Sequence, residues 1–405
     1  MVGYNGWSSD QSALVRAPAT AIERFFGNLA TWQSGNLAMT MWYKPYGRTG
    51  KEVSAISFGG MRFADPQDID GSAEVVLHAY RKGINYFDTA PGYCADKSEE
   101  ILGAAFRRMK PGTFYASTKC SSPDGATLRS SLERSLKRMG LERIHFFHIW
   151  CLLKPENWQQ RKDGGAVAAL MKARDEGLVE HVVVSSHLPG EQLSAVLEEG
   201  CFEGVTLGYC AINFPYRQHA VATAGRLGLG VATMNPLGGG LIPRFAGRFD
   251  FLRGEGDDSV VAAALRFNVS QPEISTALVG FTTAEHVDQA CAAVEGFTPH
   301  DAAHIQAVRD RVVAAFDGFC TGCGYCLPCP KDINIPALMD AYNHRILQSD
   351  EPKHLLNRLK WHWDVPYAQA GECVACGICE ARCTQHLPIA DRMKEIVELG
   401  KAAEK

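Results

Sequence analysis

An alternation of short apolar runs with helical patterns, beginning near residue 42, constrains the fold more than any other feature of this sequence. Eight of the apolar runs are predicted strands, and a helical pattern separates each one from the next. The predicted strands lie at residues 52–59, 84–90, 113–119, 143–150, 180–186, 204–210, 230–235 and 275–280. Eight such units favour the α/β class and, within it, a parallel (β/α)8 TIM barrel, which takes about 250 residues.

An open, doubly wound sheet is the rival arrangement for strands that alternate with helices. That fold would favour a glycine-rich GxGxxG turn after the first strand, and the segment "FGGMRF" at 58–63 does not match it. In a barrel, the chemistry lies at the C-terminal ends of the strands. One of the predicted helices begins near residue 260, where Asp257, Asp258 or Ser259 is the expected N-cap.

Composition restricts the partners of this chain. The 405 residues are 46% hydrophobic and 21% charged, with a net charge of −4, which is normal for a globular core and gives no reason to expect nucleic acid or an anionic membrane as a partner. No apolar run reaches the roughly 18 residues of a membrane span. The first residues lack the charged and apolar regions of a secretory signal, so we expect a cytoplasmic protein.

Two predicted strands end in residues that handle protons. The second is followed by Asp88 and Tyr93, and the third ends in Lys119. An ammonium group stabilises a phenolate, so we expect Lys119 to lower the pKa of Tyr93 from about 10 toward neutrality. Such a tyrosine protonates a carbonyl oxygen, or deprotonates an alcohol in reverse. The alternative for each residue taken alone is a surface ion pair or a packing tyrosine.

Here the sequence resembles the aldo-keto reductase superfamily over most of residues 42–295. The segments that carry the resemblance, in family order, are "FDTAPGY" (87–93), "STK" (117–119), "SSH" (185–187), "MNPLGGG" (234–240) and "VGFTTAEHV" (279–287). The resemblance implies that Asp88, Tyr93 and Lys119 are catalytic, with Tyr93 the general acid and base. It also implies a nicotinamide cofactor, NADP(H) or NAD(H), across the barrel mouth.

The same resemblance implies which residues hold that cofactor. The carboxamide is expected near Ser185 and Ser186, and Thr206 is assigned to the same cofactor site. The phosphates are expected near the loop that contains Leu237, Gly238 and Gly240.

The fourth strand departs from the family pattern, which places a catalytic histidine at its end. Trp150 occupies that position, and His148 lies two residues earlier, on the same strand face but roughly 6–7 Å deeper. His148 replaces the missing imidazole only if a bulge or a register shift moves it. Otherwise it is a satisfied interior histidine, and Trp150 shapes the substrate pocket or presents its indole N–H there.

The phosphate clamp is the second departure. Many family members have a basic residue after the strand-eight glycine, whereas Gly280 is followed here by Phe281, and Ala290 stands at a position usually held by asparagine. No bidentate partner for a 2′-phosphate is present there. Thr282 and Thr283 remain able to donate hydrogen bonds at a helix N-terminus. The sequence therefore does not decide between NADP and NAD.

Eight of the 14 cysteines form two closely spaced sets near the C-terminus. The first set is Cys320, Cys323, Cys326 and Cys329, and the second is Cys373, Cys376, Cys379 and Cys383. Consecutive CxxC steps suit thiolates around an iron–sulfur cube, and a fourth cysteine beside a proline that reaches to the other cluster is the two-cluster ferredoxin arrangement. Zinc and a disulfide framework are the alternatives.

This spacing predicts two [4Fe–4S] clusters with exchanged fourth ligands. Cys383 completes the cluster of Cys320, Cys323 and Cys326, and Cys329 completes the cluster of Cys373, Cys376 and Cys379. The segments 333–348 and 351–365 between the two sets are predicted helices, which indicates an α-helical ferredoxin-like domain. A barrel joined to this kind of module marks an iron–sulfur branch of the aldo-keto reductases, which this chain resembles over nearly its full length.

Three regions follow from these patterns. Residues 1–41 are an N-terminal extension to which we assign no chemistry and which we interpret as a poorly ordered tail, a docking arm or the result of an upstream start codon. Residues 42–316 are the predicted barrel, and residues 317–405 the predicted cluster domain.

Two functions fit these features. The first is an oxidoreductase that transfers hydride between a nicotinamide and a carbonyl or alcohol substrate, coupled through its clusters to a ferredoxin or another redox partner. The second is an electron-transfer or redox-sensing subunit whose barrel binds a cofactor or partner without turnover. Trp150, Trp158, Phe214 and Tyr216 suggest an aromatic substrate pocket in either case.

Overall fold

Eight parallel strands form a closed barrel, as the sequence predicts. This computed structural model describes residues 41–254, 256–315, 320, 324, 326–348, 351–383 and 387–404. The barrel strands are β3 (Ile56–Gly59), β4 (Tyr86–Asp88), β5 (Tyr115–Cys120), β6 (Ile144–Leu152), β7 (Val179–Ser186), β8 (Gly204–Gly208), β9 (Gly230–Met234) and β10 (Thr276–Gly280). Each pairs with its neighbour in chain order, and β10 closes the barrel against β3.

The predicted first strand at 52–59 is wrong in one respect, because it comprises two strands. Residues Glu52–Ser54 form β2, which pairs antiparallel with β1 (Tyr43–Pro45), and only Ile56–Gly59 enters the barrel. The chain changes partner at this point, so a single apolar run serves both a hairpin and a barrel strand.

The hairpin closes the floor of the barrel. Tyr46 and Val53 are fully buried and form a separate apolar cluster with interior residues such as Tyr86 and Phe146. The rings of Tyr46 and Phe146 lie 4.5 Å apart between centroids. A side chain at Gly204 or Gly230, which begin β8 and β9, would collide with the Tyr46 ring. Glycine at these two positions therefore leaves the space that the Tyr46 ring occupies in the floor of the barrel.

Helices cover the outside of the barrel, and those that follow a barrel strand begin near its C-terminal rim. They are α1 (Ile69–Arg81), α2 (Tyr93–Asp96), α3 (Ser98–Phe106), α4 (Gly125–Met139), α5 (Pro155–Asp163), α6 (Ala166–Asp175), α7 (Gly190–Glu198), α8 (Phe214–Leu227), α9 (Leu241–Arg244), α10 (Val260–Val269), α11 (Ala284–Ala292) and α12 (Ala302–Ala315). Ser259 is the N-cap of α10, because its side chain accepts a hydrogen bond from the Ala262 amide.

The C-terminal region is helical, as predicted, and has its own apolar core. Its helices are α13 (Ile335–Leu347), α14 (Pro352–Arg358), α15 (Ile378–Ala381) and α16 (Ile389–Ala403), with a π-helical segment at Leu359–Trp363 and a 3₁₀ segment at Tyr367–Glu372. Leu338, Met339 and Ile396 are among the residues buried in this core. Leu347, at the end of α13, packs instead with the barrel core.

Some predicted features lie outside the described residues. These include the N-terminal extension up to residue 40, Cys323, and the boundary predicted at 316–317. Among the helices that the structure describes, none combines the length and the apolar character that a membrane crossing requires.

Candidate functional site

A buried ion pair lies at the C-terminal ends of β4 and β5. The Lys119 ammonium donates to both carboxylate oxygens of Asp88 at 2.6 Å and to the Thr89 carbonyl at 2.7 Å. Both side chains are almost fully removed from solvent. The three acceptors use all three ammonium protons. The geometry therefore fixes Lys119 beneath the barrel mouth.

Ser117 and His148 extend this network toward the barrel interior. The Ser117 hydroxyl donates to an Asp88 carboxylate oxygen at 2.8 Å and lies 2.9 Å from His148 Nε2. His148 is fully buried, and burial followed by the charge of Lys119 holds its pKa well below the usual range. The imidazole is therefore neutral. Ser117 was not predicted, although its spacing of two from Lys119 places both side chains on the same strand face.

Tyr93 lies above the ion pair. The Lys119 nitrogen is 5.4 Å from the centroid of the Tyr93 ring. Burial, followed by the nearby charge of Asp88, raises the pKa of Tyr93 above its usual value. The predicted lowering of this pKa is therefore wrong. The physical reason is mainly that burial disfavours the charged phenolate, and the negative charge of Asp88 adds to this effect.

Tyr93 is followed by an unusual left-handed turn. Cys94, Ala95 and Asp96 have φ values of 54°, 53° and 66°, a conformation that costs non-glycine residues about 1–2 kcal/mol each. The turn is held by Asp96, whose carboxylate accepts a hydrogen bond from the Gly92 amide at 2.8 Å and one from Arg138 at 2.9 Å. A distant arginine on α4 thus supports the backbone that positions Tyr93.

Trp150 contacts Tyr93 directly. Their rings pack edge to face with centroids 5.7 Å apart. The strand β6 changes register between Ile149 and Leu152, and Cys151 has a φ of 64°. This irregularity follows His148, which stays in regular register with Lys119. No bulge therefore moves His148 toward the mouth, and Trp150 is the β6 side chain that contacts Tyr93.

Ser185, Ser186 and Thr206 lie on neighbouring strands, in the order that the resemblance implies. Ser185 pairs with Thr206 across β7 and β8, and both side chains are buried. The Thr206 hydroxyl has no hydrogen-bond partner in the structure. Ser186 is already engaged, because its hydroxyl oxygen accepts from the Leu188 amide at 3.0 Å. Ser185 and Thr206 therefore provide polar atoms that a polar ligand group could satisfy.

The loop after β9 has a backbone suited to approach by a ligand. Gly238, Gly239 and Gly240 have φ values of 64°, 69° and 96°, and Leu237 precedes them as the N-cap of this 3₁₀ turn. Added side chains at Gly239 and Gly240 would meet open space. The glycines are thus required by the left-handed backbone. They let a ligand approach the main chain at Gly239 and Gly240, although the Gly240 amide already donates to the Leu237 carbonyl at 3.1 Å.

Residues after β10 form a helix start. Thr283 is the N-cap of α11, since its side chain accepts a hydrogen bond from the His286 amide at 3.3 Å. Thr282 is partly exposed beside it. A side chain at Gly280 would collide with Arg62, which follows β3 and lies against the glycine. Ala290 is buried on the inner face of α11.

Two residues predicted for an aromatic pocket lie elsewhere. Trp158 packs against Phe202, and its indole N–H donates to Glu199 at 2.7 Å. Phe214 is buried against Phe267. Both side chains pack within the helical layer. Their position after a strand end in the sequence does not determine the direction in which the side chain points. The Tyr216 side chain lies outside the described residues.

Four cysteines line one cleft in the helical region, and we call them the outer cysteines. They are Cys329, Cys373, Cys376 and Cys379. Cys326 also lines this cleft. Apolar side chains such as Ile333 and Met393 complete its wall. The Lys331 amide donates to the Cys329 sulfur at 3.5 Å, which is the kind of contact that tunes a cluster.

A second group, the inner cysteines, comprises Cys320, Cys326 and Cys383. The Asn343 side chain clamps the Cys320 backbone, accepting from its amide at 3.0 Å and donating to its carbonyl at 2.7 Å. Burial lowers the pKa of Arg392, while Tyr342, Cys320 and Cys383 favour its charged form. One guanidinium thus neighbours two cysteines that are 63 positions apart in the chain, as the exchanged-ligand prediction requires.

The donor set also bears on the kind of metal group. Among the described residues, no three His, Cys, Asp or Glu side chains gather closely enough to hold a single metal ion. Cysteine thiolates hold both zinc ions and iron–sulfur clusters.

The parallel barrel, with ionisable residues at its strand ends and a cysteine-rich helical module, defines an oxidoreductase of the TIM-barrel class. Comparison with protein families gives the family. Residues 55–310 match the model "Aldo/keto reductase family", and residues 319–388 match the model "4Fe-4S dicluster domain". The chain belongs to the aldo/keto reductase family and carries a 4Fe–4S dicluster domain.

Individual relatives agree with this assignment. L-galactose dehydrogenase of Arabidopsis thaliana is 27% identical over 279 residues, which cover 61% of this chain and 86% of the relative. The NADH-specific methylglyoxal reductase of Escherichia coli is 22% identical, covering 45% of this chain and 62% of the relative. A holo aldo-keto reductase from Bacillus halodurans matches in fold with a TM-score of 0.59 and 18% identity, covering 67% of this chain and 96% of that structure.

Proposed function

We propose that the chain transfers hydride between a nicotinamide cofactor and a carbonyl or alcohol substrate, with Tyr93 as the general acid and base. The observation that carries this proposal is the position of Tyr93 above the buried Asp88–Lys119 pair at the open end of the barrel. A phenol, an ammonium and a carboxylate at adjacent strand ends form a proton-donating site in a largely dry environment.

The proton chemistry follows from the charges around Tyr93. Because burial and Asp88 raise its pKa, Tyr93 keeps its proton at neutral pH and acts as an acid toward a carbonyl oxygen. Lys119 contributes positive potential near the oxygen as negative charge develops there. Asp88 holds the ammonium in place, and Trp150 restricts the Tyr93 ring from one side. The site is thus suited to protonate a carbonyl oxygen during reduction.

The residues present fit a nicotinamide. Ser185 and the unsatisfied hydroxyl of Thr206 suit the carboxamide, the loop at Leu237–Gly240 suits the phosphates, and Thr282 and Thr283 at the start of α11 suit an anionic group. When bound, the nicotinamide supplies or accepts the hydride. The relatives include one whose name specifies NADH, and we leave open which nicotinamide this chain prefers.

Two [4Fe–4S] clusters complete the proposed function. The outer cysteines hold one cluster, and the inner cysteines together with Cys323, which lies outside the described residues, hold the other. Arg392, which neighbours Cys320 and Cys383, supports this partition, whereas Cys326 lines the cleft of the outer cysteines as well. The clusters carry single electrons between the chain and a ferredoxin-like redox partner. We propose a cytoplasmic location, where cysteine thiols remain reduced and available as ligands.

The first test concerns Tyr93. The substitution Tyr93→Phe removes only the hydroxyl and keeps the ring contact with Trp150. We expect carbonyl reduction to fall by about 10²–10⁴-fold, the usual contribution of a positioned acid, with unchanged nicotinamide binding. The matched control is Tyr43→Phe, whose hydroxyl bonds the Gly83 carbonyl on the barrel's outer surface. Undiminished turnover in Tyr93→Phe would exclude Tyr93 as the acid.

A second function has an observation in its favour. Trp150 stands where the family has a histidine, and the residue directly after Gly280 is Phe281 and not a basic residue. In this second function the barrel binds a cofactor or partner without turnover, and the clusters transfer or sense electrons. Fluorescence titration with NADPH and NADH separates the two functions. Binding of either one, followed by turnover with a carbonyl panel, supports the enzyme; binding without turnover supports the subunit.

The clusters are tested by analysis of anaerobically purified protein. Two cubes require about eight iron and eight acid-labile sulfide per chain. Zinc without sulfide would overturn the assignment. Replacement of Cys329 by serine should disturb the same spectroscopic signal as replacement of Cys376, since both are assigned to one cluster.

A further inference from the structure

The helix α13 connects the two cysteine groups to the barrel. Its first residue, Ile335, lines the cleft of the outer cysteines. Asn343, eight residues later, clamps the inner Cys320. Eight residues of α-helix span about 12 Å. The two groups therefore contact this helix at different heights, the outer one at its N-terminus and the inner one in its last two turns.

The last turn of α13 contacts the barrel rim. Leu347 packs within the barrel core, and the Ile346 carbonyl accepts a hydrogen bond from Arg248 at 3.3 Å. Arg248 belongs to the loop that follows β9, so it lies on the C-terminal side of the barrel, where the glycine turn at 238–240 also lies. The inner Cys320 is thus about one turn of helix from the barrel contact.

A second segment of the module approaches the same rim. Burial lowers the pKa of His362 to about 4, with further contributions from Arg358 and from Arg217 of the barrel. Arg217 in turn donates a hydrogen bond to the His187 carbonyl at 2.8 Å, directly after Ser186. The π-helical segment 359–363 therefore lies near the end of β7. The module meets the barrel on the side where the active site opens.

Accessibility distinguishes the two groups at one cysteine each. Cys376 of the outer group is exposed, whereas Cys326 of the inner group is buried, although it also lines the cleft of the outer cysteines. The other described cysteines of both groups are partly exposed. Exposed apolar side chains lie beside both groups, Val374 (59%) and Ile378 (40%) at the outer one and Leu327 (43%) at the inner one. The exposed Cys376 thus makes the outer group accessible from outside, and the inner group is the one adjacent to the barrel.

We infer that the outer cysteines form the port through which single electrons enter or leave the chain, and that the inner cysteines form the station next to the barrel. This inference rests on the proposed function, because it requires both clusters. A one-electron donor such as a reduced viologen returns to its dication as the outer site gains one electron. That electron then passes to the inner site, which leaves the outer site oxidised again, and no proton moves.

Helix α16 supplies a different cation to each station. Arg392 neighbours the inner Cys320 and Cys383, whereas Lys394, two residues later, neighbours the outer Cys373. Arg392 is buried, and Lys394 is largely exposed. A buried cation stabilises added negative charge more than an exposed one does, because solvent screens it less. Arg392 therefore raises the reduction potential of the inner station relative to the outer one.

The test of position uses the anaerobic full-length protein with both clusters loaded. The substitution Cys376→Ser identifies the electron paramagnetic resonance signal of the outer station, which is the signal that it changes. In the unmodified protein, a soluble paramagnetic gadolinium chelate should relax that signal several-fold more than the other. Equal relaxation, or stronger relaxation of the other signal, overturns the inference. Protein with fewer than two clusters refutes the proposed function instead, and iron and sulfide analysis shows this beforehand.

The test of the cations uses redox titration followed by the two signals. Arg392→Gln should shift the inner potential to a lower value and leave the outer one in place. Lys394→Gln, the matched control on the same helix, should produce a smaller downward shift of the outer potential. If Arg392→Gln lowers cluster content, Arg392→Lys retains the charge and should keep the inner potential. A shift of the outer potential in Arg392→Gln, or no shift of either, contradicts the assignment.

Discussion

The substitution Asp88→Asn tests how the buried ion pair holds the active site. It removes one of the two carboxylate oxygens that accept from Lys119 and presents an amide N–H₂ to the ammonium. Lys119 is then left with a charge that the Thr89 carbonyl and one amide oxygen do not compensate. Breaking a buried pair in this way costs about 3–5 kcal/mol. We expect the free energy of unfolding at neutral pH to fall by that amount.

The loss also has a pH dependence with a definite sign. Burial already lowers the pKa of Lys119 from 10.5, and Asp88 opposes that effect, so the variant lowers the folded-state pKa further. Between this lowered pKa and 10.5 the unfolded chain binds more protons than the folded one, and stability rises with pH. The unmodified protein gains stability in the same way above its own lowered Lys119 pKa. The deficit of Asp88→Asn should therefore shrink only between the Lys119 pKa of the variant and that of the unmodified protein, by at most about 1.4 kcal/mol per pH unit.

Urea denaturation followed by circular dichroism measures both effects. The double variant Asp88→Asn with Lys119→Met removes both charges and should recover most of the loss, because no buried charge remains unpaired. Ser117→Ala is a control that keeps the ion pair and removes one hydrogen bond to Asp88. A loss below about 1 kcal/mol that does not vary with pH, or a double variant whose cost is the sum of the two singles, would refute the reasoning.

Three further predictions follow from the geometry. Because burial and Asp88 raise the pKa of Tyr93 above 10.0, kcat for carbonyl reduction should show no alkaline decline centred near neutral pH; a pH–rate profile with such a decline would contradict the assignment. Ala95→Gly removes the side chain from a backbone with a φ of 53° and should raise the free energy of unfolding by up to about 1 kcal/mol. The control Ala104→Gly, within the regular helix α3, should lower the free energy of unfolding by about 1 kcal/mol. Thermal denaturation measures both changes. Asn343→Ala releases the Cys320 backbone, and iron loss to a chelator should accelerate roughly fivefold for a net 1 kcal/mol; an unchanged rate would argue against the clamp.

Much of this fold follows from local patterns. Eight apolar runs separated by helical periodicity predict eight barrel strands, because each pattern is short and is repeated in order. The segment 52–59 is where this reasoning fails, since a change of strand partner leaves no mark in hydrophobicity. The sequence predicts Asp257, Asp258 or Ser259 as the N-cap of α10, and only the folded backbone shows that Ser259 is the one that caps the helix.

The candidate site, like the fold, combines features that the sequence predicts with features that it does not. Strand-end rules place Asp88 and Lys119 together, and the structure pairs them. The predicted direction of the Tyr93 pKa shift was wrong, because that direction depends on how deeply the folded chain buries the phenol and on the position of Asp88, and neither is visible in the sequence. The left-handed turn after Tyr93 depends on Arg138, 42 positions from Asp96, and no local pattern reveals such a partner.

The sealed floor has a consequence for the order of events in catalysis. With Tyr46 and Val53 filling the floor, the buried Asp88–Lys119 pair is covered from that end, and ligands would approach it from the C-terminal side, where the helical module attaches. Two ligands that share this side must bind one above the other if the nicotinamide lies deeper. Product-inhibition kinetics should then report a compulsory sequence in which the nicotinamide binds first and leaves last.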